Sequence, residues 1–443
     1  SIETETAMKI GIRLEDKSLF ERRVPFVPSD ISELKANSIE IAVQSSAQRA
    51  FSDDEYQACG IEVCQNLSDC DMIFGIKEIS EDAFEPNKIY VFFSHVIKGQ
   101  AQNMPMLRRM MEQKNTLIDY ERITDAGNRR LIFFGRHAGL AGMINTLWAL
   151  GKRLEFENIT NPFSRLSQAM TYHDLNQAKT AIMEISEDIR TNGIPDAIHP
   201  MIVGFAGYGN VFKGTQEISD LLPIEEIQPE SLAEFAGNTA ASKNRVYKVL
   251  FRKQHTVRPK DMSQSFDSED YERFGIRKYE SNFEQYADHL TVLLNCIYWD
   301  SRYPRLLSME KCKQMWGDGK NPKLKVIGDI SCDIRGAIEC TVKASDSSDP
   351  LYVYDPDSDQ SVGGIEGHGP VMMAIDILPS EIPRESSEHF SSVLKQFVPA
   401  LVNADYSLPF ENLNLPPELR KAVILYHGEL TPDYEYLRKF ITL

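Results

Sequence analysis

MIVGFAGYGNVFKGTQE spans Met201–Glu217. Met201 to Ala206 is short, apolar and β-prone, the pattern of a buried strand. Gly207-Tyr208-Gly209-Asn210-Val211-Phe212-Lys213-Gly214 follows, and Thr215 to Leu222 can form a helix. Strand, glycine turn and helix together make the setting in which glycines serve a dinucleotide. Gly207 permits a tight turn, Gly209 lets backbone N–H groups approach a pyrophosphate, and the helix N-terminus offers its positive end. The candidate cofactor-binding residues are therefore Gly207, Tyr208, Gly209, Asn210, Val211 and Gly214. The spacing departs from GxGxxG, because Phe212 stands at the third glycine position and Gly214 comes two residues later. The alternative is an ordinary strand-to-helix turn.

The surrounding 443 residues are enough for two or three domains with real cores. Hydrophobic residues make up 42% and charged residues 26%, as in ordinary globular chains. A net charge of −17 argues against nucleic acid as a partner, though not against a local basic pocket. No apolar run reaches the roughly 18 residues that span a membrane. SIETETAMKIGIR lacks the basic-then-apolar order of a signal peptide. Seven scattered cysteines without a CxxC pair predict reduced thiols in a cytosol-like compartment, not a disulfide framework or a zinc site.

Upstream, Met8–Arg13, Glu40–Gln44, Asp71–Lys77, Ile89–Ser94, Thr116–Tyr120 and Leu131–Phe134 read as strands. Helices are expected from Pro28 to Ala36 (capped by Ser29 or Asp30), Asp53 to Cys59 and Met104 to Gln113. This alternation predicts a parallel α/β sheet. His137–Leu154 is an apolar helix, a possible spine between domains, and Leu175–Ile189 leads into the glycine turn. Ile224–Ile227, Val246–Phe251, Leu290–Cys296 and Lys325–Ile330 continue the second sheet. Arg258–Glu280 and Ser345–Gln360 read as loops, the first inserted and mobile, and Pro383–Val398 as a long helix. The expectation is two Rossmann-like α/β domains with a substrate cleft between them. One is built from residues 1–135 and 381–443, the other from 136–380. The long helix at Pro383 motivates the return.

Ligands of such sheets bind beyond the carboxyl ends of the strands. Lys77 closes one predicted strand and is followed by Glu78. His95 closes its expected neighbour and is followed by Lys98 and Gln100. A lysine and a histidine in one cleft can divide acid and base work. They could equally be a solvated strand end and a loop residue. Arg23, in Glu21-Arg22-Arg23, suits a carboxylate clamp, with a surface charge cluster as the alternative. Glu121, Arg136, Asp329 and Asp333 also follow or flank strands. Tyr90, Phe92 and Phe93 read as core, His137 and His173 as packing residues. No metal spacing such as HExxH occurs.

Taken together, KIGIR…ERRVPFVP, FGIK, YVFFSHVIKGQ, LIDYERI, AGMINTLWALGKRL, GNVFKGTQEI, NCIYWD, GDISCDIRGAIE and LPSEIPRESSEHF resemble the lysine–2-oxoglutarate reductase family. That saccharopine-forming enzyme is the N-terminal half of a bifunctional polypeptide. The more distant resemblance is to the alanine dehydrogenase and saccharopine dehydrogenase group. The resemblance runs from about residue 8 through the final KAVILYHGELTPDYEYLRKF, and implies that the saccharopine-oxidising half is absent. It implies Lys77 and His95 as the acid–base pair and Arg23 as a carboxylate ligand. Glu78, Gln100, Glu121 and Arg136 would line the substrate site. Gln228 stands where many members carry an acid at the end of the second Rossmann strand, which eases acceptance of NADP over NAD.

The activity so implied joins L-lysine to 2-oxoglutarate and reduces the imine with NAD(P)H. NADP is the expected cofactor, with NAD an alternative, and the partners are lysine, 2-oxoglutarate and saccharopine. A cytoplasmic homo-oligomer is expected, dimer or tetramer, in the mitochondrial matrix if the source is eukaryotic. Arg23, Lys77, Lys98 and Arg136 together favour a dicarboxylic oxo acid. Competing readings are an alanine dehydrogenase-like or other opine or amino-acid dehydrogenase, and a nucleotide-binding regulatory protein without turnover.

Overall fold

In the computed structural model, which describes residues 8–442, the chain is an α/β protein built on two eight-stranded sheets. Six strands precede residue 120: β1 (Lys9–Ile12), β2 (Glu40–Gln44), β3 (Glu62–Cys64), β4 (Met72–Phe74), β5 (Ile89–Phe92) and β6 (Thr116–Asp119). The next group comprises β7 (Ile202–Ala206), β8 (Ile224–Glu226), β9 (Val246–Phe251), β10 (Val257–Pro259), β11 (Tyr279–Ser281) and β12 (Val292–Asn295). It continues with β13 (Val326–Asp329), β14 (Leu351–Asp355), β15 (Gln360–Gly363) and β16 (Val371–Met373). β17 (Val423–Tyr426) and β18 (Glu429–Leu430) are the last strands of the described chain. The helices that matter most are α1 (Pro28–Ala36), α2 (Asp53–Ala58), α3 (Met104–Glu112), α4 (Gly135–Phe156), α5 (Leu175–Asn192) and α6 (Asn210–Ser219).

The chain divides into two units, Ser1–Phe134 with Pro383–Leu443, and Gly135–Ile382. In the first, the order is β18-β17-β6-β5-β4-β1-β2-β3. β1 to β6 run parallel, with Ile10 opposite both Ile41 and Met72, and Val91 opposite Ile118. Both faces are covered, so these strands are nearly all apolar: Ile10, Ile12, Met72, Phe74, Val91 and Phe92 are buried. β17 adds antiparallel to β6.

The return of the chain is held by polar contacts as well as by core packing. The helix Pro383–Leu394 presents Ser387 and Ser391, whose hydroxyls accept the backbone N–H groups of Val24 (2.9 Å) and Val27 (3.0 Å). Ser391 also donates to the buried Asp30 carboxylate at 2.6 Å. Leu394, Val398 and Leu401 complete the same apolar core.

The second unit orders its strands β15-β14-β16-β13-β12-β7-β9-β8. β8, β9, β7, β12, β13 and β16 are parallel, and β14 and β15 form an antiparallel edge. α4 belongs to this unit: Leu140, Met143, Ile144 and Leu147 share a core with Val203 and Phe205 of β7.

Several local expectations are corrected. Leu131–Phe134 forms no strand, because the place beside β6 is filled by β17. Asp71–Lys77 gives a strand only from Met72 to Phe74, after which the N–H groups of Ile76 and Lys77 turn to a side-chain carboxylate, that of Glu15. β3 was not anticipated. Helix α1 starts from Val27 with Pro28 in its first turn, with no side-chain cap from Ser29 or Asp30. Helix α6 begins at Asn210 rather than Thr215.

The polar stretch Arg258–Glu280 is not a bare loop. β10 and β11 pair antiparallel around the helix Ser268–Phe274, and Tyr271 packs edge-on to Tyr279 at 5.2 Å. Ser345–Gln360 contains β14. Cys312 and Cys340 form a disulfide, against the expected set of reduced thiols. The reading of the N-terminal stretch as lacking a signal peptide falls partly on residues 1–7, outside the described residues. Among the described residues no helix is long and apolar enough to cross a membrane.

Candidate active site

The pairing of β4 with β5 sets Lys77 and His95 in loops at one rim of the first sheet. Lys77 lies three residues beyond β4, and His95 three beyond β5. Between them stands Glu78, whose Oε1 meets His95 Nδ1 at 2.9 Å. Burial pushes the Glu78 carboxyl up, but the hydrogen bond and charge of His95, with help from Lys77, outweigh it and bring the carboxyl down to about 2. Glu78 is therefore a carboxylate and an acceptor only. Nδ1 must carry the proton it shares, so a neutral His95 keeps its free lone pair on Nε2.

The backbone holds this imidazole tightly. His95 adopts φ 51°, in the left-handed region. Its carbonyl accepts Asn103 Nδ2 at 3.0 Å, and its ring stacks on Phe93 at 6.2 Å. The preceding residue, Ser94, gives both its N–H (3.1 Å) and its hydroxyl to the buried Asp119 at the end of β6. Burial raises the Asp119 carboxyl, opposed by the Ser94 hydroxyl.

Lys77 is fixed from the other side. Its N–H donates to Glu15 Oε1 at 2.8 Å, and the N–H of Ile76 donates to Oε2 at 3.1 Å. Burial raises the Glu15 carboxyl to about 7, against the lowering effect of Arg13, while the charge of Glu21 adds to the rise. Glu21 in turn grips Arg23 through Nε (2.9 Å) and Nη2 (2.5 Å), and both side chains are buried. The Arg23 guanidinium also lies 4.4 Å over the Phe134 ring. Three carboxylates thus hold the three candidate groups: Glu21 the Arg23 guanidinium, Glu15 the Lys77 backbone N–H, and Glu78 the His95 ring. Nη1 of Arg23 has no protein partner among the described residues.

The other expected site residues divide. Gln100 accepts the N–H of Lys98 at 2.9 Å, which closes the turn after His95. Glu121 follows Asp119 and is ion-paired with Arg130. Arg136 belongs to the second unit. It lies near the start of α4, where its guanidinium is committed to Glu217 of α6, with Nη2 at 2.7 Å.

In the second unit, Gly207 has φ 97°, and a Cβ there would lie 2.8 Å from the Cys296 carbonyl oxygen, so only glycine makes this turn. Gly209 is the N-cap of α6 and faces open space on its Cβ side. Tyr208 is exposed, while Asn210 and Val211 open the helix. A pyrophosphate fits this cradle, since backbone N–H groups can be approached closely at Gly209. Gly214 is different: it is buried within α6, and a Cβ would sit 2.0 Å from the Arg136 carbonyl oxygen. It serves the contact between α6 and α4, not the phosphate turn. Gln228 does not end the strand next to the turn either. It follows β8, the edge strand, and β9 intervenes.

Glu15 escaped the sequence reading. Its only signal is a position three residues beyond β1, the same offset at which Lys77 and His95 follow their strands.

Residues 11–141 match the family described as alanine dehydrogenase/PNT, N-terminal domain. The chain is 36% identical over 97% of its length to alpha-aminoadipic semialdehyde synthase of Arabidopsis thaliana, of which it covers 41%. The mitochondrial alpha-aminoadipic semialdehyde synthase of Bos taurus is 35% identical over 97% of the chain, which covers 47% of it. The chain thus spans less than half the length of these curated relatives. A saccharopine dehydrogenase (NAD(+), L-lysine-forming) of Emericella nidulans is 26% identical over 87% of the chain and 90% of its own length. Among solved structures, an L-alanine dehydrogenase shares the fold at TM-score 0.63 and 16% identity, covering 98% of this chain and all of its own. A transhydrogenase from Sinorhizobium meliloti follows at 0.54 and 13%, covering 96% of this chain and 100% of that one. The chain shares the two-sheet fold of L-alanine dehydrogenase, its residues 11–141 match the alanine dehydrogenase/PNT N-terminal domain, and over nearly its whole length it is similar to the alpha-aminoadipic semialdehyde synthases.

Proposed function

We propose that the chain is an NADP-dependent lysine–2-oxoglutarate reductase, which condenses the ε-amine of L-lysine with the oxo acid and reduces the resulting imine to saccharopine. The observation that carries this reading is that Arg23, Lys77 and His95 follow β1, β4 and β5 of one sheet and are each held by a carboxylate, which supplies a cation suited to a carboxylate and two groups able to exchange protons. The similarity to alpha-aminoadipic semialdehyde synthases supports it.

Arg23 meets a carboxylate of the oxo acid through Nη1, since Glu21 takes the other edge of its fork. The amine must lose a proton before it attacks. Nε2 of His95 accepts it, because Glu78 holds Nδ1 protonated and orients the ring. The carbinolamine must then lose water, and Lys77 donates the proton that lets hydroxide leave as water. Gln100 and Glu121 border the same rim and would contact the polar ends of the substrates. NADPH, held at Gly207, Tyr208, Gly209, Asn210 and Val211, supplies the hydride when bound. A homo-oligomer of two or four chains, in the cytoplasm or the mitochondrial matrix, belongs to the same proposal.

The test is to follow NADPH and NADH absorbance with a panel of amines and oxo acids. Turnover with lysine and 2-oxoglutarate is expected. Comparable kcat/KM for 2-oxoglutarate and pyruvate, or turnover with ammonia in place of lysine, would remove the proposal.

A further inference from the structure

We infer that Arg252 selects the 2′-phosphorylated dinucleotide, by pairing its guanidinium with the adenosine 2′-phosphate. The inference rests on the dinucleotide reading of the glycine turn. In sheets of this kind the adenosine ribose lies over the carboxyl end of the strand next to the glycine-turn strand, where an acid serves ribose hydroxyls and an arginine serves a 2′-phosphate. That neighbour is β9, although β8 comes first in sequence after the turn. The register runs from Ile202 opposite Tyr247 to Ala206 opposite Phe251, and β8 reaches only to Glu226, opposite Lys248. The N–H of Gly207 donates to the Phe251 carbonyl at 3.4 Å, so the residue after Phe251 stands level with the turn. That residue is Arg252.

The charges around it are already assigned. Lys253 pairs with Glu272 at 2.5 Å, and His255 Nε2 lies 3.2 Å from Glu230. The Arg252 N–H donates to His255 Nδ1 at 3.0 Å, which fixes the backbone at the strand end. Arg252 itself is exposed, and among the described residues no carboxylate pairs with its guanidinium. In a chain of net charge −17, this places an uncommitted cation where the dinucleotide would carry its third phosphate. Guanidinium–phosphate pairs are bidentate and among the stronger charge-assisted contacts.

The test is a fluorescence titration of the full chain with NADPH and with NADH, without substrates, and competition by 2′,5′-ADP against 5′-AMP. Arg252→Ala should weaken NADPH and 2′,5′-ADP binding by roughly 10- to 100-fold and leave NADH and 5′-AMP unchanged. Arg252→Lys should recover part of the loss. Equal weakening of both dinucleotides, no weakening, or a Gln228→Ala variant that shifts the NADPH/NADH ratio in place of Arg252→Ala would overturn the inference while leaving the dinucleotide site intact. Wild-type protein that binds neither dinucleotide would overturn both.

Discussion

Glu78 Oε1 and His95 Nδ1 lie 2.9 Å apart, a contact made across the ends of two adjacent parallel strands. Lys77 stands beside Glu78 in sequence, and the proposed reaction asks His95 to accept a proton and Lys77 to donate one. Lys77→Met and His95→Gln should each slow turnover by roughly 10²–10⁴-fold. Dinucleotide binding, read by NADPH fluorescence, should stay near the wild-type value, because the glycine turn belongs to the other unit. Near-normal turnover in both folded variants would show the two residues to be structural.

The same contact predicts an acid limb in stability. The folded Glu78 carboxyl sits at about 2, below its ordinary 4.5, so its contribution is fully present above pH 4.5 and is lost as pH falls toward 2. Urea unfolding across this window should show a shallower fall in Glu78→Gln than in wild type. Identical slopes would mean that the ion pair does not form in solution.

Glu15 should act with the opposite sign. Its folded carboxyl sits at about 7, above the ordinary 4.5, so the folded state binds more protons between these values. Its share of stability therefore falls as pH rises from 4.5 to 7 and is constant above. Glu15→Gln should flatten that decline in the same unfolding series. A steeper decline in the variant would contradict the assignment.

Gly209 in the turn and Gly214 within α6 should respond differently to a methyl group. Gly214→Ala drives Cβ into the Arg136 carbonyl and should cost about 1–3 kcal/mol or more by chemical denaturation. Gly209→Ala meets open space, so unfolding should change by less than about 1 kcal/mol. It should instead weaken dinucleotide binding, because the added methyl stands where a pyrophosphate must approach. Similar unfolding for the two variants would show that Gly214 is not a packing glycine.

Ser387→Ala and Ser391→Ala leave the buried N–H groups of Val24 and Val27 without acceptors. Each should destabilise by about 1–3 kcal/mol, read by thermal or urea unfolding. The double variant should be worse than either, and an unchanged midpoint would show that water replaces both hydroxyls.

What could be read from sequence was local. MIVGFA had to be a strand and GYG a turn, because apolar β-prone residues run directly into glycines, and the structure places β7, Gly207 and α6 there. The strand-end rule also pointed to Lys77, Glu78 and His95 as neighbours, and β4 and β5 do pair, with Glu78 on His95. What stayed hidden was lateral order. Nothing in Leu131–Phe134 announces that a strand from residue 423 already fills the place beside β6. Nothing in Ile224–Glu226 shows that β9 inserts between it and β7, which moved attention from Gln228 to Arg252. Glu15 and Arg136 show the same limit for side chains: each is defined by a partner far away in sequence, Lys77 for the first and Glu217 for the second.

The order in which a nascent chain can complete its parts follows from β17. When residue 382 has been synthesised, every strand of the second sheet exists, but the first sheet still lacks two of its eight. Another 48 residues must be added before Leu430, the end of β18, is made. At typical elongation rates that interval is roughly 2–10 s. During it β6 presents an unpaired edge, and Val24 and Val27 lack their serine acceptors. The unit encoded second is thus the first able to fold, and the waiting β6 edge is where a chaperone would have most to protect.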